Sequence, residues 1–220
     1  MRLAILASRS GTNAQAIAEA VRSGKLNAEI PVILTNRPDA GVITRARALG
    51  IPVEILPSKG IRDRSAYDRS VVEVLSKYDV DTIALAGWMR ILSEDFLKAY
   101  PGRILNLHPA LLPSFTGDDG IGDACRYGVK LTGCTVHFVS PQLDAGPIII
   151  QAAVPVSGSQ QEVEEKIHTM EHLIFPQALQ WLSEGRLGTD DRRVSLEPSP
   201  RTVSARSFVD GCLVWPPLED

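Results

Sequence analysis

Apolar positions along the first hundred residues come in short runs separated by amphipathic stretches. "LAILA" (3–7) is an unbroken apolar run that stops at a Ser/Gly turn. "NAQAIAEAVRSG" (13–24) repeats its apolar residues at helical spacing and ends at Gly24. "EIPVILTN" (29–36) reads as a strand, "GVITRARALG" (41–50) as a short helix ending at Gly50, and "IPVEIL" (51–56) as a third strand. "RSAYDRSVVEVLSKYDV" (64–80) is an amphipathic helix, "TIALAG" (82–87) a fully apolar strand, "SEDFLKAYPG" (93–102) a short capped helix, and "RILNLH" (103–108) the next strand. Strands alternating with helices through right-handed crossovers give a parallel sheet covered on both faces.

Beyond residue 130 the pattern changes. "KLTGCTVHFV" (130–139) and "PIIIQAAVPV" (147–156) are longer β-rich runs joined by the short loop "SPQLDAG" (140–146). So short a connection predicts an antiparallel hairpin. A long helix follows at about 159–184, and the Pro-, Ser- and charge-rich remainder predicts a surface tail, partly disordered. The expected fold is α/β: a mostly parallel, doubly wound, Rossmann-like sheet with an antiparallel hairpin added in the C-terminal half and helices on both faces.

Composition adds limits. With 220 residues, 44% hydrophobic and 22% charged, the chain suits one sizeable domain. A net charge of −3 does not favour a broad nucleic-acid or anionic-membrane surface. The N-terminal apolar run is too short for a signal peptide, and no run reaches the length of a membrane span. Three cysteines without CxxC spacing (Cys125, Cys134, Cys212) fit a reduced, cytoplasmic protein. His and Cys do not cluster with ligand spacing, so no metal site is expected.

Four stretches carry candidate chemistry. "SRSGTN" (8–13) lies where a first strand feeds a first helix. Free N–H groups and the helix dipole attract an anion there, and Gly11, Thr12 and Asn13 suit one terminal phosphate. The stretch has one glycine, so it is neither the dinucleotide fingerprint nor a Walker loop, and an ordinary helix cap reads equally well. "AGWMRIL" (86–92) leaves a strand at its C-terminal end, where Trp88, Met89, Ile91 and Leu92 form either an apolar wall for a flat heterocycle or part of the core. "NLHP" (106–109) ends another strand. Asn106 can donate to an oxyanion and His108 can carry a proton, although a turn would use the same residues. Asp144, in "LDAG" (143–146), is a turn former in isolation, and beside His108 it would orient the ring and raise its pKa. No Ser or Cys nucleophile has motif context, which favours direct transfer over a covalent acyl-enzyme. His137 reads as a packed core residue. His168 and His172 stand four apart on the last helix without a third metal ligand, and Glu171 adjoins them without a role that spacing alone would assign.

Taken in order, these stretches resemble the phosphoribosylglycinamide formyltransferase family, also called glycinamide ribonucleotide transformylase, over roughly residues 2–186. "SRSGTNAQAI" resembles its phosphate loop, "YDRSVVEVLSKYDVDTIALAGWMRIL" its central helix and folate-binding strand, "ILNLHPALLPSF" and "GCTVHFVSPQLDAGPIIIQAAVPV" its catalytic strand and hairpin, and "EHLIFP" its final helix. The resemblance implies formyl transfer from 10-formyltetrahydrofolate, as co-substrate, to the primary amine of glycinamide ribonucleotide (GAR). It implies that Gly11, Thr12, Asn13 and Glu171 bind GAR, and that Arg64, Met89, Arg90, Ile91, Leu92 and Asn106 contact the folate. Asn106, His108 and Asp144 would be catalytic. It also implies a single domain at 1–186, with a nucleotide half (1–100) and a catalytic and folate half (101–186), and a tail at 187–220. The partners would be the two small molecules, with no nucleic acid or membrane, and the protein a monomer or homodimer.

One stretch departs from the family pattern. After "LLPSF" the family reads Pro-Gly and then a loop with a histidine, where this chain has "TGDDGIGDACRYG" (116–128). Asp118, Asp119 and Asp123 would repel a phosphate-bearing substrate unless they point away or meet cations. The four glycines predict a loop that is mobile without ligand and closes over the site. A 10-formyltetrahydrofolate hydrolase shares the catalytic trio but carries an N-terminal regulatory domain. A methionyl-tRNA formyltransferase would need a nucleic-acid-binding domain and a basic surface. A folate-sensing module without catalysis would be expected to have lost one of the trio.

Overall fold

The computed structural model describes residues 1–200 and 203–219, in two compact units, Met1–Asn106 and Leu107–Asp220. The first unit alternates strands and helices. Its elements are β1 (Arg2–Leu6), α1 (Thr12–Arg22), β2 (Glu29–Thr35), α2 (Val42–Leu49), β3 (Val53–Ile55), α3 (Arg64–Ser76), β4 (Thr82–Leu85), α4 (Glu94–Ala99) and β5 (Ile104–His108), whose last two residues cross into the second unit. The strands run parallel, in the order β3-β2-β1-β4-β5. The chain winds outward from β1 to β3, then returns to the other side of β1 for β4 and β5. That reversal packs α1 with α2 and α3 with α4, the doubly wound arrangement the alternation predicts. β4 is buried along its whole length, as a strand covered on both faces must be. Asp63 caps α3 by accepting from the Ala66 N–H at 2.9 Å, and Ser93 caps α4 by accepting from Phe96 at 3.4 Å.

The second unit is antiparallel. It contains α5 (Gly120–Tyr127), β6 (Leu131–Phe138), β7 (Ile148–Pro155), α6 (Gln160–Ser183), β8 (Leu187–Asp190), β9 (Arg193–Leu196), β10 (Ala205–Val209) and β11 (Cys212–Glu219). β6 and β7 form the predicted hairpin, with Thr135 opposite Gln151. α6 starts at a Ser159–Glu162 capping box and lays Val163, Ile167, Met170, Ile174, Ala178 and Leu179 against β6, β7 and β11.

Two expectations differ from what is found. The last thirty-odd residues, expected as a partly disordered tail, form two hairpins among the described residues. β8 pairs with β9, and β11 pairs antiparallel with both β10 and β7. Alternation buries Cys212 and Val214 while Leu213 and Trp215 face out. An anchor fixes the end of β11: Arg186 donates to both carboxylate oxygens of Glu219, at 2.6 and 2.7 Å, and the Trp181 indole donates to Glu219 at 3.1 Å. The second difference is the stretch expected as a mobile glycine-rich loop, since residues 120–127 are α5. Two of its three acidic residues do meet a cation, because Arg126 pairs with Asp119 at 2.8 Å and with Asp123 at 2.5 Å.

Candidate functional site

In the first unit, β1 delivers the chain into the turn before α1. Gly11 caps that helix at φ 81°, in the left-handed region. A Cβ there would lie 2.6 Å from Val42, so both backbone and packing demand glycine. Thr12 and Asn13 form the first turn of α1, which carries no acidic residue to occupy its open N–H groups. Ser8, one turn earlier, is buried and joins two loops. Its hydroxyl donates to Asn36 Oδ1 at 2.6 Å and accepts from the Met89 N–H at 3.0 Å, and the Asn36 amide donates to Ser58 at 2.9 Å. The Ser8 N–H also donates to Gly87 O at 3.1 Å. The expected phosphate loop and the expected folate loop are therefore bolted together through one serine.

Met89, Arg90, Ile91 and Leu92 follow on that second loop. Leu92 is buried, Ile91 exposed, and Met89 and Arg90 half-buried. The Arg90 guanidinium stacks 4.2 Å above the Tyr67 ring of α3. Burial pushes the Tyr67 hydroxyl up to about 12, against a smaller opposing pull from Arg90, and that hydroxyl donates to Leu56 O at 2.7 Å. Arg90 Nε and the Trp88 indole N–H are buried without a hydrogen-bond partner among the described residues. Buried donors are seldom left unpaired, so these two have room for an acceptor from a ligand or a water. Arg64 is exposed at the first position of α3. Asn106 is half-buried on β5, in register with Leu85. His108 stands two residues on, so the pleat puts both side chains on one face of the strand.

The second unit gathers the titratable groups. His108 is 3% exposed. Its Nε2 lies 2.8 Å from Phe115 O, and because a carbonyl only accepts, Nε2 must donate there. Its Nδ1 then faces Asp144 Oδ2 at 3.5 Å. Asp144 is held by more than the histidine. The Gly117 N–H donates to Oδ2 at 3.0 Å, and its backbone sits at φ 49°, a conformation aspartate tolerates better than most residues. Two residues on, a Cβ at Gly146 would lie 1.7 Å from Phe138 O, so the loop closes only with glycine. A cavity of about 320 Å³ opens beside this loop, lined by Leu112, Pro113, Thr116, Asp144, Ile148 and Arg192 among others.

His137, read from the sequence as a packed residue, also turns to Asp144. It is buried, and its Nε2 lies 4.0 Å from Oδ1. Its Nδ1–H donates to Phe138 O at 2.8 Å. Burial, the dominant cause, lowers its pKa despite that bond and the carboxylate. Asp144 therefore stands between two imidazoles. The signal was its position near the end of β6, adjoining the 140–146 loop. Glu171 lies buried on α6 and is hydrogen-bonded to His168. Among the described residues no cluster of three or more His, Cys, Asp or Glu is arranged to hold a metal. No helix among them is long and apolar enough to cross a membrane.

Comparison with known proteins adds an independent line. A family model described as formyl transferase matches residues 1–179. The phosphoribosylglycinamide formyltransferase of Escherichia coli K12 is 39% identical over 189 residues, covering 85% of this chain and 89% of that protein. The trifunctional purine biosynthetic protein adenosine-3 of Bos taurus is 40% identical over 195 residues, covering 87% of this chain. This chain spans only about a fifth of the length of that relative (19%). The crystal structure of glycinamide ribonucleotide transformylase 1 from Symbiobacterium toebii superposes with a TM-score of 0.87 at 41% identity, over 90% of this chain and 94% of that one.

Proposed function

The chain belongs to the formyl transferase family, and from that premise we propose that it is a phosphoribosylglycinamide formyltransferase. It carries the formyl group of 10-formyltetrahydrofolate to the primary amine of glycinamide ribonucleotide, in the cytoplasm, as a step of purine synthesis. The observation that carries the reading is the buried His108–Asp144 contact, fixed by the Gly117 N–H, on the strand that also bears Asn106. The amine nitrogen attacks the formyl carbon, and the carbonyl electron pair moves onto oxygen. The Asn106 amide and the His108 ring donate to that developing oxyanion, and Asp144 balances the charge on the ring. The intermediate collapses by breaking the bond to the folate nitrogen. That nitrogen leaves with a proton, and the former amine loses one. His108 already donates to Phe115 O, so one of its two contacts must be released when the formyl oxygen arrives.

Binding falls to the remaining residues. Gly11, Thr12 and Asn13 receive the phosphate at the N-terminus of α1, a single anion site that one glycine can open. Glu171 accepts from the ribose or amine end of the nucleotide. Arg64 and the Met89–Leu92 loop hold the folate, a reading supported by the orphaned donors of Trp88 and Arg90. The test is formyl loss from 10-formyltetrahydrofolate followed by absorbance, with and without GAR. Release that requires GAR is expected. Release without it identifies a hydrolase, and bound folate without release identifies a binding module.

A further inference from the structure

His168 and His172 attract notice as a metal-spaced pair, but the informative spacing on α6 is His168 to Glu171. Glu171 is 3% exposed, and a carboxylate that deep is costly to keep charged without a partner. His168 Nδ1 lies 2.9 Å from Glu171 Oε2, with the histidine side chain 44% exposed. The imidazole thus reaches from solvent to the buried carboxylate. We infer that His168 is a positioning residue for nucleotide binding: its ring locks the Glu171 carboxylate in one orientation and balances its charge, so that the nucleotide meets a fixed acceptor. This rests on Glu171 being a nucleotide contact.

The surroundings support a charged ring. Glu171 and Glu164 face it from α6, with Glu164 Oε1 3.5 Å from Nε2. Cys134 of β6 lies near Glu171, and burial pushes its thiol well up, so it adds no charge at neutral pH. The hydrogen bond to Glu171, foremost, raises the His168 pKa against burial. The sign follows. The charged pair is complete below the ordinary histidine value and is lost as pH rises through the raised one. Nucleotide affinity should weaken across that window.

The experiment measures GAR affinity by calorimetry, and KM and kcat by the absorbance assay, for the wild type, His168→Ala, His168→Asn and Glu171→Gln, across neutral to alkaline pH. His168→Ala is expected to weaken GAR binding about tenfold, the size of one charge-assisted hydrogen bond, with kcat within about twofold. His168→Asn keeps a neutral donor near Nδ1 and serves if the alanine variant does not fold. It should bind GAR with an intermediate affinity and lack the pH step that wild type shows toward the same value. Ionisations of GAR itself are common to all variants and cancel in the comparison. If Glu171→Gln weakens binding while both His168 variants match wild type, the inference is overturned and the contact stands. If Glu171→Gln binds GAR as wild type does, the contact falls, and the inference with it.

Discussion

The two units solve the problem of holding a small site by different chemistry. In Met1–Asn106 the fixed points around the turn before α1 are neutral. They are a glycine with φ 81°, a buried serine bonded to an asparagine and a backbone N–H, and a strand of parallel sheet beneath them. In Leu107–Asp220 the fixed points ionise: His108 and His137 flank Asp144, His168 holds Glu171, and Arg186 clamps Glu219. Neutral networks hold shape at any pH and can present backbone donors to an anion. Ionising networks can move protons and answer to pH. The comparison predicts that changes in the first unit alter affinity without altering pH dependence, while changes in the second alter turnover, affinity or stability in a pH-dependent way.

The largest effect should come from His108→Ala. Losing the ring that donates to the oxyanion should lower kcat by ~10³-fold while both KM values stay near wild type. A fall in affinity with kcat intact would overturn that assignment, because it would make His108 a binding residue. Next comes Glu219→Gln, away from the chemistry. It removes one charge from the Arg186 clamp and should cost roughly 3 kcal/mol in chemical denaturation. Arg186 and its hydrogen bond hold the Glu219 pKa below the ordinary carboxylate value. The clamp's contribution is therefore full above that ordinary value and disappears as pH falls through the lowered one. Wild type and variant should converge in acid. A gap that persists below that range would show that the clamp works by shape and not by charge.

Much of this was legible in the residues, for a physical reason. The apolar runs that become β1 and β4 are buried almost throughout, so the pattern alone separates strand from helix there. Asn106 and His108 could be placed because they end a strand, and Asp144 because its loop is too short to be anything but a hairpin turn. The partners of those residues were not legible. Phe115 O and the Gly117 N–H are backbone groups, which any residue supplies, and the approach of His137 to Asp144 depends on how the hairpin turns. β11 escaped notice because Pro216 and Pro217 argue against a strand interior, yet the proline-bearing end needs few ladder bonds once Glu219 is clamped. The 116–128 stretch read as mobile because glycine counts for flexibility in isolation. Gly120 is buried with Phe115 O and Pro109 O each 3.1 Å from its Cβ position, so it is there for close packing instead.

The first unit offers two sharper tests. Gly11→Ala forces a Cβ into the left-handed region and against Val42, which should cost about 2 kcal/mol of stability and raise the KM for GAR more than about tenfold. The rise should be the same at every pH, since nothing at that turn titrates. Ser8→Ala should have the smallest effect and is the most discriminating. It leaves the Met89 N–H and Asn36 Oδ1 short of a partner in a buried place, at a cost of about 1–2 kcal/mol. Because Met89 begins the expected folate loop, the KM for 10-formyltetrahydrofolate should rise a few-fold, about as much as a slackened loop would explain, while kcat and its pH profile hold. Steady-state kinetics across pH would decide it. If Ser8→Ala instead shifts the pH profile, the neutral network reaches the ionising one, and the division of labour between the two units does not hold.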